Sequence, residues 1–303
     1  MTEPAKSPTP PDRSSAPASS PRGPGEVPRI RRIVFRVLRI LVGTYVALLI
    51  ISWGFQSKLI YVPRKGMEAS PADIGLPYDE VFFDASDGVR LCGWFIPAKD
   101  ARATVLYCHG NAENISDGLD PVEILHRLRL NVFVFDYRGY GKSQGKPTEP
   151  GTYLDVEAAW RYLTETRKVP PESLIVHGRS LGGAIAAHLA KLHSPRALIL
   201  ESTFTSIPDR GAEMFPILPI RKICTFQYNT LEILPTLHCP ILVIHSSEDN
   251  LIPISHGRKL FAAAKEPKQF LEIRGDHNTG FVSSGTLYTD GLAAFISRVT
   301  AAP

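Results

Sequence analysis

The sequence offers little that would hold a metal ion or a cofactor. Its four cysteines, Cys92, Cys108, Cys224 and Cys239, are scattered, with no pair at the close spacing of a zinc site, so no metal site is expected. The glycines of Gly139-Tyr140-Gly141-Lys142-Ser143-Gln144-Gly145 complete neither a G-x-G-x-x-G nor a Walker pattern, and a loop follows them instead of a helix start. They read as a turn, and no cofactor is implied. Internal repeats are lacking. The net charge is only +4 over 303 residues, and much of the basic excess sits in residues 1–65, so nothing points to nucleic acid.

Residues 1–28 nearly lack large apolar side chains and are rich in Pro, Ser, Ala and Gly. Such a segment cannot offset its ordering entropy by burial and is expected to be a disordered tail. Beyond it, residues 40–57 carry no charge at all, preceded by Arg29, Arg31, Arg32, Arg36 and Arg39. A helix needs about 17–25 apolar residues to cross the hydrocarbon layer, and arginines can snorkel at its end. Residues 29–57 are therefore expected to form a basic flank and one uncleaved membrane anchor, with Trp53 and Tyr61 toward the far interface. A cleavable signal peptide or an interfacial helix are the competing readings; the long preceding tail and the lack of an Ala-x-Ala-like site argue against cleavage. Lys58, Arg64 and Lys65 follow the span, so the arginine bias puts the N-terminus in the cytoplasm and the remaining chain outside it, although the bias is small. An exported domain would allow a Cys224–Cys239 disulfide, the alternative being two buried free thiols.

With 44% hydrophobic and 21% charged residues, the rest of the chain can bury one substantial core. Val81-Phe-Phe-Asp-Ala85 and the run from Val89 to Ile96 flank a Ser86-Asp87-Gly88 turn signal and predict an antiparallel pair. Six further short apolar runs begin at Thr104, Val132, Leu174, Ala197, Ile241 and Gln269, separated by helical stretches such as Val156, Ala159, Trp160 and Leu163 at i, i+3, i+4, i+7. Runs apolar on both faces suit strands covered by helices. The pattern predicts an α/β fold with an eight-stranded, mostly parallel, doubly wound sheet.

Gly178-Arg179-Ser180-Leu181-Gly182 is a G-x-S-x-G pattern lying between the strand-like Ser173-Leu-Ile-Val-His177 and a helical run with Leu181, Ile185, Leu189 and Leu192 on one side. A sharp strand-to-helix turn leaves no room for side chains beside the serine, which explains the flanking glycines and projects Oγ at a helix N-terminus. Ser180 is the candidate nucleophile; an ordinary glycine-rich turn is the plain alternative.

Several separated motifs resemble the α/β-hydrolase fold from Val81 onward: Tyr107-Cys108-His109-Gly110-Asn111-Ala112 is similar to its His-Gly oxyanion loop, and Asp136-Tyr137-Arg138-Gly139-Tyr140-Gly141-Lys142-Ser143 to the turn after its fourth strand. Phe55-Gln56-Ser57-Lys58-Leu59-Ile60-Tyr61-Val62-Pro63 resembles the entry segment of membrane-anchored α/β-hydrolase domain-containing serine hydrolases. The resemblance implies a hydrolase domain over 58–303 with a short cap at about 206–238, after the sixth strand. It also implies the chain order Ser, acid, His. His277, in Gly275-Asp276-His277-Asn278 after the last strand, is the expected base. Asp249, in His245-Ser-Ser-Glu-Asp249 beyond the seventh strand, is the expected acid, with Glu248 and Glu201 as competitors; Ser246 stands where the family turn has glycine. Backbone N–H groups of Asn111 and Leu181 are the expected oxyanion donors, with Ala112 the next choice for the first. His109 and Asp136 read as structural, and the role of Arg179 is open.

The expected activity is hydrolysis of a carboxylic ester or thioester through an acyl-enzyme, on a small-molecule or lipid-like acyl substrate. An aminopeptidase or amidase on the same fold, and a non-catalytic binding protein at the membrane, remain the alternatives. The apolar set of the insertion, including Phe204, Met214, Phe215, Ile217 and Tyr228, fits either a core edge or an acyl wall.

Overall fold

In a computed structural model the described residues are the first two and 29–301, so the tail expected over 1–28 lies, beyond Met1 and Thr2, outside them. The chain divides into two units, Met1–Ile50 and Ile51–Pro303. Helix α1, Arg29–Gly54, is 26 residues long with no acidic side chain in its first turn and none of its residues buried. Among the described residues it is the one helix long and apolar enough to cross a membrane. The uncharged run outlasts it. Phe55 leaves helical geometry and α2, Gln56–Ile60, starts afresh, with the Gln56 carboxamide bonded to Ile223 O and Thr225 N. Tyr61 is buried within the hydrolase unit, and its hydroxyl meets that of Tyr228 at 2.7 Å.

The second unit follows the α/β alternation read in the sequence. In chain order its elements are β1 Asp79–Asp84, β2 Arg90–Ile96, β3 Ala103–Cys108, α3 Leu119–Arg127, β4 Leu130–Phe135, α4 Glu149–Arg161, β5 Leu174–Arg179, α5 Leu181–Leu192 and β6 Ala197–Glu201. Three short helices occupy the insertion, α6 Ile207–Met214, α7 Ile220–Ile223 and α8 Thr230–Ile233. Then come β7 Ile241–Ser246, α9 Ile254–Ala263, β8 Lys268–Ile273, α10 Gly280–Ser283 and α11 Thr286–Thr300. The eight strands form one sheet in the order β1-β2-β4-β3-β5-β6-β7-β8, antiparallel at β1–β2 and β2–β4 and parallel elsewhere.

Every residue of β3, β5, β6 and β7 is buried, which is why these strands read as continuous apolar runs. Alternate residues serve opposite faces. Leu106, Val176, Leu198 and Val243 pack with α4 and α5 on one side, whereas Val105, Ile175, Ile199 and Leu242 pack with α3 and α11 on the other. The insertion is mixed: Phe204 and Tyr228 join the core, while Met214, Phe215 and Ile217 are exposed. Cys224 and Cys239 are free thiols, against the disulfide considered above. The Cys224 thiol donates to Phe226 O and Cys239 is buried at the core edge, so each has its own surroundings. In-register pairs Cys108↔Gly178, Arg179↔Glu201 and Ser246↔Ile273 bring the carboxyl ends of β3, β5, β6, β7 and β8 to one edge of the sheet, where the following loops converge.

Candidate active site

Ser180 sits between β5 and α5 with φ 53° and ψ −121°, a conformation that costs an L-residue about 1–3 kcal/mol. Surrounding bonds hold it there: its N–H donates to Glu201 O at 2.9 Å, and Thr203 Oγ1 donates to its carbonyl at 2.7 Å. The glycines on either side are sterically required. A Cβ on Gly178 would lie 2.2 Å from Gly182 O, and one on Gly182 would lie 2.1 Å from Cys108 O. Leu181 is the first helical residue, so its N–H has no partner within the helix and carries part of the positive helix end.

The other two expected residues meet this serine. His277 Nε2 is 3.0 Å from Ser180 Oγ, and His277 Nδ1 is 2.9 Å from Asp249 Oδ2. Asp249 Oδ1 accepts from Leu251 N at 2.9 Å and Ile252 N at 2.7 Å, which fixes the carboxylate. A carboxylate can only accept, so Nδ1 carries the proton and the Nε2 lone pair faces the serine hydroxyl. Burial pushes the Asp249 carboxyl up, but the hydrogen bond and charge of His277 and the two backbone N–H groups outweigh it and hold the carboxyl below its usual value. All three residues are buried, which strengthens each interaction among them. Ser246 donates from Oγ to Gly275 O and accepts from Glu248 N, so where the family turn has glycine its hydroxyl joins the β7 and β8 loops.

The loop after β3 runs beside the serine: a Cβ on Gly110 would lie 3.5 Å from Ser180 Cβ. Gly110 N donates to Glu113 Oε1, and Ala112 has φ 60°. The Asn111 carboxamide is taken up by Ile60 O, Val62 N–H and the Tyr140 hydroxyl, so any part Asn111 plays at an oxyanion falls to its backbone amide.

An α/β hydrolase domain-containing protein of Arabidopsis thaliana, WAV2, is 35% identical over 280 residues, covering 84% of this chain and 90% of its own. The chain belongs to the α/β-hydrolase superfamily. A family model described as serine aminopeptidase S33 matches residues 99–233, a span that contains Ser180 and ends before Asp249 and His277. Uncharacterized protein Rv2307c of Mycobacterium tuberculosis is 36% identical over 249 residues, 81% of this chain and 89% of its own. Among solved structures, the Pyrococcus furiosus esterase Pf2001 matches with a TM-score of 0.66 and 22% identity, over 80% of this chain and 98% of that one, a likeness of fold. The family model and the α/β hydrolase domain-containing relative support a hydrolase.

In this α/β hydrolase Arg179, left open by the sequence, is a buried structural tie. Its Nη2 donates to His277 O at 2.9 Å and to Asn278 Oδ1 at 3.3 Å, and Nη1 reaches Glu113 Oε1 at 3.3 Å. Nε stands 3.8 Å from Glu201, an ion-pair distance too long for a hydrogen bond. Glu113 carried no sequence signal, because its partners are remote in the chain. The competing acids are engaged elsewhere: Glu201 accepts from His177 Nε2 at 3.0 Å and the Tyr288 hydroxyl at 2.8 Å, and Glu248 accepts from Gly275 N at 2.9 Å. His109 Nδ1 meets Gly110 O at 2.7 Å, His188 stacks on Tyr153, His193 on Trp160, and His256 bonds Glu213. Among the described residues no group of three or more His, Cys, Asp or Glu side chains is placed to hold a metal ion.

Proposed function

We propose that this hydrolase cleaves a carboxylic ester or thioester by acyl-enzyme chemistry, with Ser180 as nucleophile, His277 as general base and acid, and Asp249 as the group that orients the imidazole. The observation that carries the reading is the continuous line of hydrogen bonds Ser180 Oγ, His277 Nε2, His277 Nδ1, Asp249 Oδ2, at 3.0 and 2.9 Å. A serine hydroxyl is a weak nucleophile until a neighbouring base takes its proton. His277 Nε2 accepts that proton as Oγ attacks the acyl carbon, and Asp249 stabilises the imidazolium without itself being protonated. The tetrahedral oxygen gathers negative charge, which the Leu181 and Asn111 backbone N–H groups receive. Collapse breaks the bond to the leaving group, which takes the proton from His277. Water then repeats the sequence on the acyl-serine, with His277 as base, and releases the acid.

Helix α1 supports a membrane anchor: its 26 residues span about 39 Å, more than the hydrocarbon layer needs. The N-terminus is read as cytoplasmic and the hydrolase unit as extracytoplasmic, from the arginines before the span. A signal sequence passes the same test of length and composition, and N-terminal sequencing of the mature protein separates the two. Tethering favours a lipid-like or otherwise acylated substrate.

The test is turnover of aryl esters of graded acyl length by the full chain, with Ser180→Ala alongside. Ser180-dependent turnover supports the reading, and its chain-length optimum reports the acyl class. The serine aminopeptidase description of the matching family model favours a second reading, cleavage of an amide beside a free amine. Turnover of aminoacyl anilides in preference to esters would select it. Folded protein inactive on both would leave a partner-binding role.

A further inference from the structure

The segment between α1 and β1 takes no part in the chemistry above, yet it is bonded to the loop after β3 along much of its length. Asn111 Nδ2 donates to Ile60 O at 2.6 Å and Asn111 Oδ1 accepts from Val62 N at 3.1 Å. Tyr61 between them is extended, with φ −109° and ψ 124°, and the flanking carbonyl and amide of an extended residue point the same way. One carboxamide therefore pairs with the segment as a neighbouring strand would. The Tyr140 hydroxyl adds a bond to the same Oδ1 at 2.7 Å. Farther on, Ser116 Oγ accepts from Glu68 N at 3.1 Å. At its start the segment grips the insertion after β6: Gln56 Nε2 donates to Ile223 O at 2.9 Å, Gln56 Oε1 accepts from Thr225 N at 2.8 Å, and the Tyr61 hydroxyl meets Tyr228.

We infer that residues 56–62 are a strap that positions the Asn111 backbone amide for catalysis, with the Asn111 side chain as the buckle. The inference rests on the reading of that amide as an oxyanion donor. Asn111 stands in a loop with Gly110 before it and Ala112 at φ 60° after it, so no ladder holds the peptide that carries its N–H, which is bonded on its carbonyl side to His109 Nδ1. Donors to an oxyanion work because they are fixed before charge develops, and small misplacements are costly. Pinning the carboxamide at both its nitrogen and its oxygen removes the rotation that would let the peptide drift. Only a side-chain amide offers a donor and an acceptor to match Ile60 O and Val62 N–H; an aspartate would set an acceptor against a carbonyl, and a leucine would offer neither. The strap also joins the oxyanion loop to the insertion, so the entry segment of the hydrolase unit is part of its working site.

Val62→Pro in the full chain tests this directly, because it deletes the N–H given to Asn111, and the extended Tyr61 already suits a residue before proline. Val62→Ala keeps the N–H and serves as the side-chain reference. Asn111→Asp is the second variant, since it keeps the acceptor and loses the donor. The readouts are kcat and KM on an aryl ester, the affinity of a boronic acid that forms a tetrahedral adduct with serine, and the melting temperature. The inference predicts kcat lowered about tenfold in both Val62→Pro and Asn111→Asp, with boronate affinity falling in step and KM within about twofold. Wild-type turnover that depends on Ser180 but is matched by folded Val62→Pro and Asn111→Asp overturns the strap alone, as does a kcat loss without loss of boronate affinity. A wild type with no Ser180-dependent turnover of aryl esters or aminoacyl anilides overturns the reading of the site and the strap with it.

Discussion

Arg179 Nη2 donates to the backbone carbonyl of His277 at 2.9 Å, so the residue before the candidate nucleophile also holds the loop of its candidate base. The same guanidinium pairs with Glu113, whose Oε1 accepts from Gly110 N in the loop after β3. Three loops that would have to be aligned within a fraction of an ångström share one ion pair, between the buried Arg179 and the half-buried Glu113. Arg179→Lys keeps the charge but loses the planar fork. It is expected to lower kcat between about tenfold and a hundredfold with little change in KM, since displacement by about 1 Å costs on the order of a hundredfold. Steady-state kinetics at matched folded fraction checks this, and an effect confined to KM would count against the positioning role.

Gly182 carries the contact between α5 and the end of β3. Glycine to alanine inside a helix ordinarily helps by about 1 kcal/mol. Here the added Cβ would meet Cys108 O at 2.1 Å and His109 O at 2.5 Å, backbone atoms that cannot swing aside. Gly182→Ala is expected to cost about 3 kcal/mol or more of stability. Urea unfolding measures it, and a midpoint equal to wild type would contradict the close packing of the elbow.

Asp136 is fully buried, and burial pushes its carboxyl up to about 7 despite the N–H groups of Ile115 and Lys142. Its value in the unfolded chain is near 3.8, so between the two the folded state holds the extra proton. This contribution to stability is complete below 3.8 and is lost as pH rises through about 7. Asp136→Asn removes the titration and keeps an acceptor for Ile115 N–H. The variant is expected to gain on wild type from pH 4 toward pH 8 in denaturant titrations (~2 to 3 kcal/mol at most after relaxation). Parallel curves would place the titration elsewhere.

The order of elements was legible because each central strand is buried on both faces and each glycine of the elbow answers a contact. The positions of Asp249 and His277 followed from the rule of chain order, which puts them on loops at the same sheet edge as Ser180. What was hidden depends on pairs far apart in sequence. Arg179 meets Glu113 and His277 across three loops, and Asn111 meets Ile60 and Val62, pairings that the motifs holding several of these residues do not reveal. The burial of Tyr61 depends on Tyr228 in the insertion, again remote. For Cys224 and Cys239 an exported domain would have allowed a disulfide or two free thiols, and their separate surroundings leave them free.

Arg138 joins Asp155, wholly buried, to Asp87 in the β1–β2 turn, at 2.8 and 2.7 Å. Replacing it with Met leaves Asp155 without its counter-charge, which costs about 3–5 kcal/mol for a buried pair. Burial already pushes Asp155 up to about 6 with the arginine in place, so without it the carboxyl takes a proton at still higher pH. Arg138→Met is therefore expected to lose more stability at pH 8 than at pH 5. Equal losses at the two values would show that Asp155 is not the group left unpaired.

The central claim is that Ser180 is a nucleophile activated by His277. Intact-protein mass spectrometry after exposure to a fluorophosphonate tests it without any knowledge of the substrate. The account predicts one adduct, mapped to the peptide containing Ser180, absent in Ser180→Ala and formed at least about a hundredfold more slowly in His277→Ala. Folded wild-type protein that takes up no adduct, or takes it up at another residue, would contradict it.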